Sequence, residues 1–281
     1  MSSQTIKPKK KIKPRKYLHH SFNEIYALTH RLYIQLYRRP ATLVSGVIQP
    51  LLWLILFGAL FQNAPVDPLT SHTKYSDFLS PGIIVFTAFT GAINAGLPLM
   101  FDREFGFLNR LLVAPLKFRD SLMISLMIFI TTTTIIQTSF IILCSFIISK
   151  HAINLHNLLI INIIIFMITL SIASISIYLA FTLPGHIELL ACILIINLPT
   201  LFSSTALAPL SFMPYWLQII ARINPLTYAI ESIRKIYFEE QIYITQNTWL
   251  HLNYNSNLYI LLITNILGLI LIKNILSYKF E

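Results

Sequence analysis

Long apolar runs that are almost free of charge constrain this chain more than any other feature. Runs of about 20 residues alternate with short polar connections, and about 20 apolar residues form a helix that crosses a hydrocarbon core of about 30 Å. Asp, Glu, Lys and Arg make up only 11% of the residues and apolar types 55%, which is too apolar for a soluble domain. The runs are apolar on nearly every residue, without the alternation of a β-barrel. The pattern predicts an all-α integral membrane protein.

Six runs predict about six transmembrane helices. They lie at 41–61 and within 79–101, 121–149, 157–183, 189–210 and 258–276. The last run reaches 276 only if Lys273 extends to the membrane interface. The fifth contains Pro199, Pro209 and the hydroxyl cluster 203–205, which predicts a broken span whose hydroxyls satisfy the freed carbonyls.

The distribution of Lys and Arg predicts which way the spans are oriented. Ten of the 21 basic residues precede the first span, and 16 lie on the same side as the N-terminus if there are six spans. The positive-inside rule therefore places both termini on the cytoplasmic or equivalent side. The net charge of +10 is an orientation signal, and we expect no nucleic-acid partner.

The region before the first span divides into two parts. Residues 1–16 are dominated by Lys and Pro and are predicted to be a disordered basic arm. Residues 17–40 form a predicted amphipathic helix with a capping-box pair, Ser21 and Glu24. Its apolar stripe comprises Leu18, Phe22, Ile25, Leu32 and Leu36. We expect this helix on the inner membrane surface, or else packed on the rest of the chain; residues 41–281 form the transmembrane domain.

A charged segment, hereafter the charged island, separates the second and third runs. Residues 101–120 read FDREFGFLNRLLVAPLKFRD and hold seven of the 32 strong charges of the chain. Acidic residues are not needed for topology, which depends on Lys and Arg. The segment therefore predicts a docking surface for a soluble partner. The alternative is that its charges only fix the loop on the inner side.

Several kinds of chemistry have no support in the sequence. The first five runs contain no ionisable Asp, Glu, Lys or Arg in their interiors, as an ion-coupled transporter would need. No G-x-x-x-x-G-K-[ST] or H-E-x-x-H pattern occurs. The His and carboxylate positions do not converge, so we expect no catalytic residue and no metal site. Energy for uphill transport must come from another polypeptide.

Two segments carry a family resemblance. The first is 103–116, REFGFLNRLLVAPL, in which an acidic residue and Gly precede a Leu-rich stretch that ends in Pro. The second combines PYWL at 214–217 with NPLTYAIESIR at 224–234, before the last span. In this order, and with a basic N-terminus and about six spans, they resemble ABC-2 type permeases, the membrane subunits of a class of ATP-binding cassette exporters. The resemblance covers nearly the whole chain.

The resemblance implies a half-transporter. Family members dimerise, as homodimers or with a related permease, and recruit a separate ATPase subunit that binds ATP and Mg²⁺, so no cofactor is expected on this chain. They export drugs, lipids or lipid-linked glycans. The implied coupling residues in the charged island are Arg103, Glu104, Gly106, Leu108, Arg110, Leu111, Leu112 and Pro115. The implied external gate, a pair of short re-entrant or interfacial helices, includes Pro214, Trp216, Asn224, Pro225, Glu231 and Arg234.

Both implied sites have physical support and a simpler alternative. Leu108, Leu111 and Leu112 lie at helical spacing, and the charges beside them suit ion pairs with a partner. Glu231 can pair with Arg234 at the i+3 position. That pair is either semi-buried between dimer halves or an exposed helix pair worth about half a kcal/mol or less.

The sequence leaves three rival functions open. A passive channel or facilitator, an intramembrane enzyme and a membrane assembly factor are the rivals, and the polar stretch 131–138 hints at a channel. Only the ABC interpretation requires an ATPase partner.

Ile supplies about one residue in six, as expected from an A+T-rich genome. We expect a plastid membrane, with a bacterial plasma membrane as the alternative.

Overall fold

The computed structural model describes residues 17–62, 75–108, 110, 120–149, 154–237 and 254–280. These residues form ten α-helices and no β-strand. The helices are α1 (Tyr17–Arg38), α2 (Ala41–Leu60), α3 (Tyr75–Ile93), α4 (Gly96–Glu104), α5 (Asp120–Ser149), α6 (Leu155–Thr182), α7 (His186–Phe202), α8 (Tyr215–Ile223), α9 (Pro225–Tyr237) and α10 (Tyr254–Phe280). The all-α prediction is confirmed. The basic arm at 1–16 lies outside the described residues.

Each of the six apolar runs contains an α-helix. Among the residues that the structure describes, four stretches are long and apolar enough to cross a membrane: α2, α3 with α4, the Ser121–Ile147 part of α5, and α6. The fifth and sixth runs give shorter apolar helices, His186–Phe202 and Asn257–Ile272. The first span, α2, begins at the predicted residue and ends within one residue of the predicted end, whereas α3 begins at Tyr75, upstream of the predicted start of the second span.

Helix α3 forms the centre of the bundle. Almost every side chain from Tyr75 to Ile93 is buried, and the helix packs against α2, α5, α6 and α9. Among the other helix pairs, the most extensive contacts join α6 to α10 and α1 to α5. Helices α2 and α7 lie at the edge, because most of their side chains are exposed. A single protein core therefore surrounds α3, with two spans only partly attached to it.

The second span is interrupted between α3 and α4. Gly96 and Pro98 favour this break, since Gly weakens a helix and Pro donates no hydrogen bond. Ser176 of α6 bridges it: its hydroxyl donates to the Ile93 carbonyl at 2.5 Å and accepts from the Gly96 N–H at 2.9 Å. A Cβ on Gly96 would lie 2.5 Å from the Ser176 carbonyl oxygen. The break is thus held by close backbone contact with α6.

Helix α1 packs on the inner half of α5 and corrects one prediction. It begins at Tyr17, so Ser21 lies inside the helix and the predicted capping box is wrong, because the helix continues one turn upstream. Glu24 instead accepts a hydrogen bond from the Ser121 hydroxyl at 3.3 Å. Leu32 is buried, whereas Phe22 is 69% exposed. One face of α1 therefore packs on the chain, and its contact with the membrane surface stays a prediction.

The fifth span ends sooner than the run predicts. Helix α7 stops at Phe202, one turn after Pro199. The Ser204 hydroxyl donates to the Leu201 carbonyl at 2.6 Å, and the Ser203 hydroxyl donates to the Thr200 carbonyl at 3.5 Å. The prediction that hydroxyls satisfy carbonyls at this break is confirmed for Ser203 and Ser204, whereas the buried Thr205 hydroxyl has no hydrogen-bond partner among the described residues. A turn of 3₁₀-helix at Leu210–Phe212 then leads into α8 and α9.

Candidate functional site: the charged island and the re-entrant segment

Three consecutive residues at the end of α4 each contact a different element. The first, Asp102, binds α1: Arg31 Nη2 lies 2.5 Å from Oδ1 and 2.6 Å from Oδ2. The guanidinium of Arg31 also lies 3.9 Å from the ring centroid of Phe107, a cation–π contact. The start of the charged island is therefore joined to the N-terminal helix.

Arg103 binds the C-terminal end of α6. Its Nη1 donates to the carbonyl oxygens of Ala180 at 2.9 Å and Phe181 at 3.2 Å. Its Nη2 donates to the carbonyls of Leu183 and Pro184, the latter at 2.6 Å. The last carbonyls of a helix lack partners within the helix and carry partial negative charge. A guanidinium with five donors satisfies this end of α6.

Glu104 caps the N-terminus of α7. Its Oε1 accepts from the backbone N–H of His186 at 2.5 Å, and its Oε2 lies 2.5 Å from His186 Nδ1. Gly185 occupies the N-cap position and provides no side-chain cap, so a carboxylate from another helix takes that role. A Cβ on Gly185 would lie 2.9 Å from Glu104 Oε1. Glycine there lets the carboxylate approach the helix end.

The remaining predicted coupling residues differ in exposure. Gly106 has a φ of +71°, a conformation that glycine adopts readily, and it follows Phe105, which is 79% exposed. Arg110 is exposed as well. Leu108 is 4% exposed and belongs to the core, so it is not available to a partner as expected. Leu111, Leu112 and Pro115 lie outside the described residues.

Sequence reasoning missed several members of this site. His186 and Gly185 follow a different span, 80 residues along the chain, so no local pattern connects them to Glu104. The sequence could have identified Phe105 as a site residue, because a large aromatic side chain is unusual just before a glycine in a charged, exposed loop. The contacts of Arg103 and Glu104 with residues 180–186 are called the inner clamp below.

At the opposite end of the bundle, Asn224 joins α7 to α9. Its Nδ2 donates to the carbonyl oxygens of Thr200 at 2.9 Å and Ser203 at 3.3 Å, at the end of α7. Its Oδ1 accepts from the backbone N–H of Leu226 at 3.0 Å, which caps α9. A proline lies at the start of each short helix. Pro214 is the N-cap of α8, and Pro225 is the first residue of α9, where its missing N–H costs nothing.

Glu231 and Arg234 form the predicted i+3 ion pair, with Arg234 Nη1 2.5 Å from Glu231 Oε1. Arg234 is only 3% exposed, so the exposed-pair alternative is wrong. Its Nη2 also donates to the Thr205 carbonyl at 2.8 Å, and its guanidinium lies 3.9 Å from the Phe78 ring centroid. Burial lowers the pKa of the guanidinium, and the charge of Glu231 raises it. The pair attaches α9 to the outer end of α3.

The surface of α8 carries the last predicted gate residue. Trp216 is 62% exposed, and Ile219, Ile220 and Ile223 on the same face are also exposed. An apolar face with an aromatic ring at the end of a bundle suits the membrane interface. A gating role for these residues stays a prediction.

The threonine hydroxyls in the middle of α5 bond within the helix. Thr131, Thr133 and Thr134 each donate to carbonyls three or four residues earlier, at 2.7 to 3.0 Å. Gln137 fills the space beside Gly46 and Gly91, where α2 and α3 approach α5. These polar groups serve helix packing, so they do not form the polar face that a channel would need.

No group of three His, Cys, Asp or Glu side chains suited to a metal ion occurs in the part of the chain that the structure describes. The described helices, the charged turn between two spans and the broken fifth span define a polytopic membrane protein of the permease class. Comparison with known families makes this specific: residues 23–238 match the ABC-2 type transporter family. The chain therefore belongs to the ABC-2 type transporter family and is a membrane permease of an ABC transporter.

Curated relatives agree with this assignment. The protein called "Putative transport permease ycf38" from Porphyra purpurea is 51% identical over 272 residues, which is 95% of this chain and 94% of the relative. The protein of the same name from Cyanophora paradoxa is 49% identical over 261 residues, 92% of this chain and 90% of the relative. These relatives come from algal plastid genomes, and the chain is a multi-pass protein of a plastid membrane.

A more distant relative comes from a bacterium. "Probable doxorubicin resistance ABC transporter permease protein DrrC" from Mycobacterium tuberculosis is 26% identical over 216 residues, 73% of this chain and 74% of the relative.

Proposed function

We propose that this chain is the permease half of an ATP-driven exporter, with ATP hydrolysed by a separate ATP-binding cassette subunit that docks on the charged island. One observation carries the proposal: exposed Phe105 and Arg110 follow the end of α4, while the last three residues of α4 bind α1, α6 and α7. A partner on this surface therefore contacts an element joined to most of the inner end of the bundle.

Two copies of the chain form the pathway in this proposal. Helix α2 is the least buried of the four long spans, and its exposed face carries Ser45 and Gln49. The Ser45 hydroxyl bonds to the Thr42 carbonyl within α2, but an amide side chain such as that of Gln49 is unfavourable against lipid, which supports a protein surface opposite this face. A homodimer is the simplest arrangement, and a related permease could take the second position.

The cargo is proposed to be a lipid, glycan or drug-like molecule. The bacterial relative is named for resistance to doxorubicin, an amphipathic drug, and the exposed faces of α2 and α7 are mainly apolar. A passive channel is less well supported, because the threonine hydroxyls of α5 are bonded within their own helix. A membrane assembly factor is the remaining alternative and needs no ATPase.

Co-purification tests docking. The tagged permease is isolated from native membranes in mild detergent, and co-purifying subunits are identified by mass spectrometry. Arg110→Glu is the informative variant, because Glu104 already caps α7 and its replacement would disturb the fold. We expect Arg110→Glu to lower recovery of the ATPase subunit roughly tenfold, as for a central interface charge.

Arg38→Glu is the matched control. Arg38 is exposed at the end of α1 and undergoes the same charge reversal, so it should leave recovery of the ATPase unchanged. If no ATP-binding cassette subunit accompanies the unaltered chain, the exporter proposal is refuted. Equal losses in both variants would refute specific docking at the island.

A further inference from the structure

We propose that Arg103 and Glu104 are positioning residues that transmit movement of the charged island to α7, through the inner clamp. This inference rests on the proposed function, because the movement is that of an ATPase bound to the island. Its structural basis is separate: two adjacent side chains on α4 hold both sides of the short α6–α7 connection.

The clamp joins α4 to the beginning of α7 more directly than packing does. Leu189, Ile193 and Leu201 are the buried residues of α7, and large side chains along the rest of the helix, such as Leu194 and Ile195, are exposed. A helix with so few buried contacts can shift at low cost. Glu104 is solvent-exposed, but it binds the first residue of α7 through both the backbone N–H and the imidazole, so the inner end of α7 follows α4.

Helix α4 can move separately from α3. The break at the Ile93–Gly96 connection divides the second span, and Ser176 supplies the bonds there in place of a continuous helix. Helix α3 is buried on all sides, whereas α4 leads directly into the exposed Phe105. A push on the island would therefore tilt α4 about this break while α3 stays in place.

The neighbours of α4 respond differently to such a tilt. Helix α6 is held by extensive packing with α3 and α10, and α1 packs along α5. Helix α7 has neither support. It also reaches the outer end of the bundle, where Asn224 binds its last carbonyls. Movement of α7 thus connects the ATPase side of the protein to helices α8 and α9.

Two variants interrupt the clamp while leaving the exposed island side chains in place. His186→Pro removes the backbone donor and the imidazole that bind Glu104. Proline suits the first position of a helix, and Gly185 has the extended backbone, φ −148° and ψ 175°, that precedes proline. Arg103→Gln removes the donors to the end of α6. Arg110→Gln is the matched control, since it makes the same charge change within the island.

The native cysteines provide the readout. Cys192 lies on α7 and Cys144 on α5, and the chain has two cysteines, so Cys144→Ser leaves one thiol on α7. The complex with its co-purified ATPase is placed in nanodiscs, and reaction of Cys192 with N-ethylmaleimide is timed with and without ATP and orthovanadate. We expect nucleotide to change this rate in the Cys144→Ser background.

His186→Pro should abolish the nucleotide dependence while the ATPase still co-purifies in normal amounts, and Arg103→Gln should abolish the dependence in the complexes that form. Arg110→Gln should do the reverse: less ATPase is recovered, but the complexes that form keep the dependence. The inference is overturned if Cys192 does not respond to nucleotide in the parent, or if the response survives in both clamp variants. If the clamp residues had only a structural role, their variants would lose ATPase docking and the nucleotide response together.

Hydrogen exchange of the permease alone distinguishes failure of the clamp from failure of the proposed function. Loss of the Glu104 cap in His186→Pro should speed exchange over residues 187–193 roughly fivefold to thirtyfold. Arg103→Gln should speed exchange at the end of α6, where the Arg103 donors bind, and Arg110→Gln should leave both regions unchanged. Unchanged exchange in the clamp variants refutes the clamp itself. Altered exchange in a chain that brings down no ATPase refutes the exporter proposal and, with it, transmission of an ATPase movement.

Discussion

Single side chains join helix ends at both ends of this bundle. Arg103 satisfies carbonyls at the end of α6, and Asn224 does the same for α7 while also capping α9. In each case one polar side chain replaces the water that would otherwise solvate a helix terminus. Removal of such a residue leaves several buried groups without a partner, so its effect exceeds that of one hydrogen bond.

Asn224→Ala tests this at the outer end. The substitution leaves the Thr200 and Ser203 carbonyls and the Leu226 N–H without this partner, and we expect a loss of about 1–3 kcal/mol in the free energy of unfolding. The apparent Tm in detergent should fall by about 4 °C or more. Asn94→Ala is the control, because Asn94 is exposed and bonds only to its own helix at Thr90. Equal shifts in the two variants would contradict the joining role.

Individual residues also show where prediction from sequence ends. The i+3 spacing gave the Glu231–Arg234 pair, but burial of Arg234 depends on Phe78 and Thr205, which are distant in the chain. Helical spacing placed Leu108 on an exposed apolar face, and the structure buries it. Spacing defines which residues share a face. It does not define which face the rest of the chain covers.

At the scale of elements, α9 is an anchored helix. Its buried face includes Leu226, Ile230 and Ile233, and it packs against α3, α6 and α10. The ion pair between Arg234 and Glu231 lies where α9 contacts α3. Arg234 also donates to the Phe78 carbonyl of α3 and to the Thr205 carbonyl in the turn after α7. A buried charge that loses its partner is costly, whereas removal of both charges is often tolerated.

A double-variant cycle tests the anchoring of α9. Arg234→Met leaves Glu231 without its cation, and we expect a loss of about 3 kcal/mol or more in the free energy of unfolding. Adding Glu231→Leu should recover part of this loss, because no unpaired carboxylate remains. Thermal unfolding in one detergent measures Arg234→Met, Glu231→Leu and the double variant. Losses in the two single variants that simply add in the double variant would show that the pair is not coupled.

The elements were predicted better than their connections. Apolar length alone located the four described stretches that are long enough to cross a membrane and the two shorter apolar helices, because a membrane helix must satisfy its own backbone; α2 begins and nearly ends where its run does. The interruption at Gly96 was missed, since Gly and Pro are both tolerated within membrane helices. The clamp on α7 was also missed, because it depends on how α4 and α6 pack.

At the scale of the whole molecule, the exposed faces of α2 and α7 leave the bundle open on part of its surface. Ser45 and Gln49 lie on the exposed side of α2, whereas Pro50 and Leu54 face the core. Exposed sides of other spans, such as Ile128 and Ile136 on α5, are apolar and suit lipid. This difference supports a second copy against α2.

Cysteine cross-linking tests that arrangement. In a chain with Cys144→Ser and Cys192→Ser, we expect Gln49→Cys to form a disulfide-linked dimer when native membranes are oxidised with copper phenanthroline. Ile128→Cys is the control, because it is exposed on α5 and, like Gln49, lies about two turns from the start of its helix. A band of twice the chain mass on non-reducing gels should appear for Gln49→Cys. Equal yields at both positions, or none at Gln49→Cys, would contradict the dimer.

The contact between Arg103 and the α6–α7 connection also bears on biogenesis. The hairpin of α6 and α7 has no Lys or Arg in its own turn, so the nascent segment carries no charge of its own to retain that turn on the side of synthesis. Arg103 belongs to a span that emerges from the ribosome earlier, and it binds the turn through backbone carbonyls that any sequence provides. The orientation of the later hairpin is thus set by a cation that has already been inserted, so correct insertion of these two spans depends on the first half of the chain.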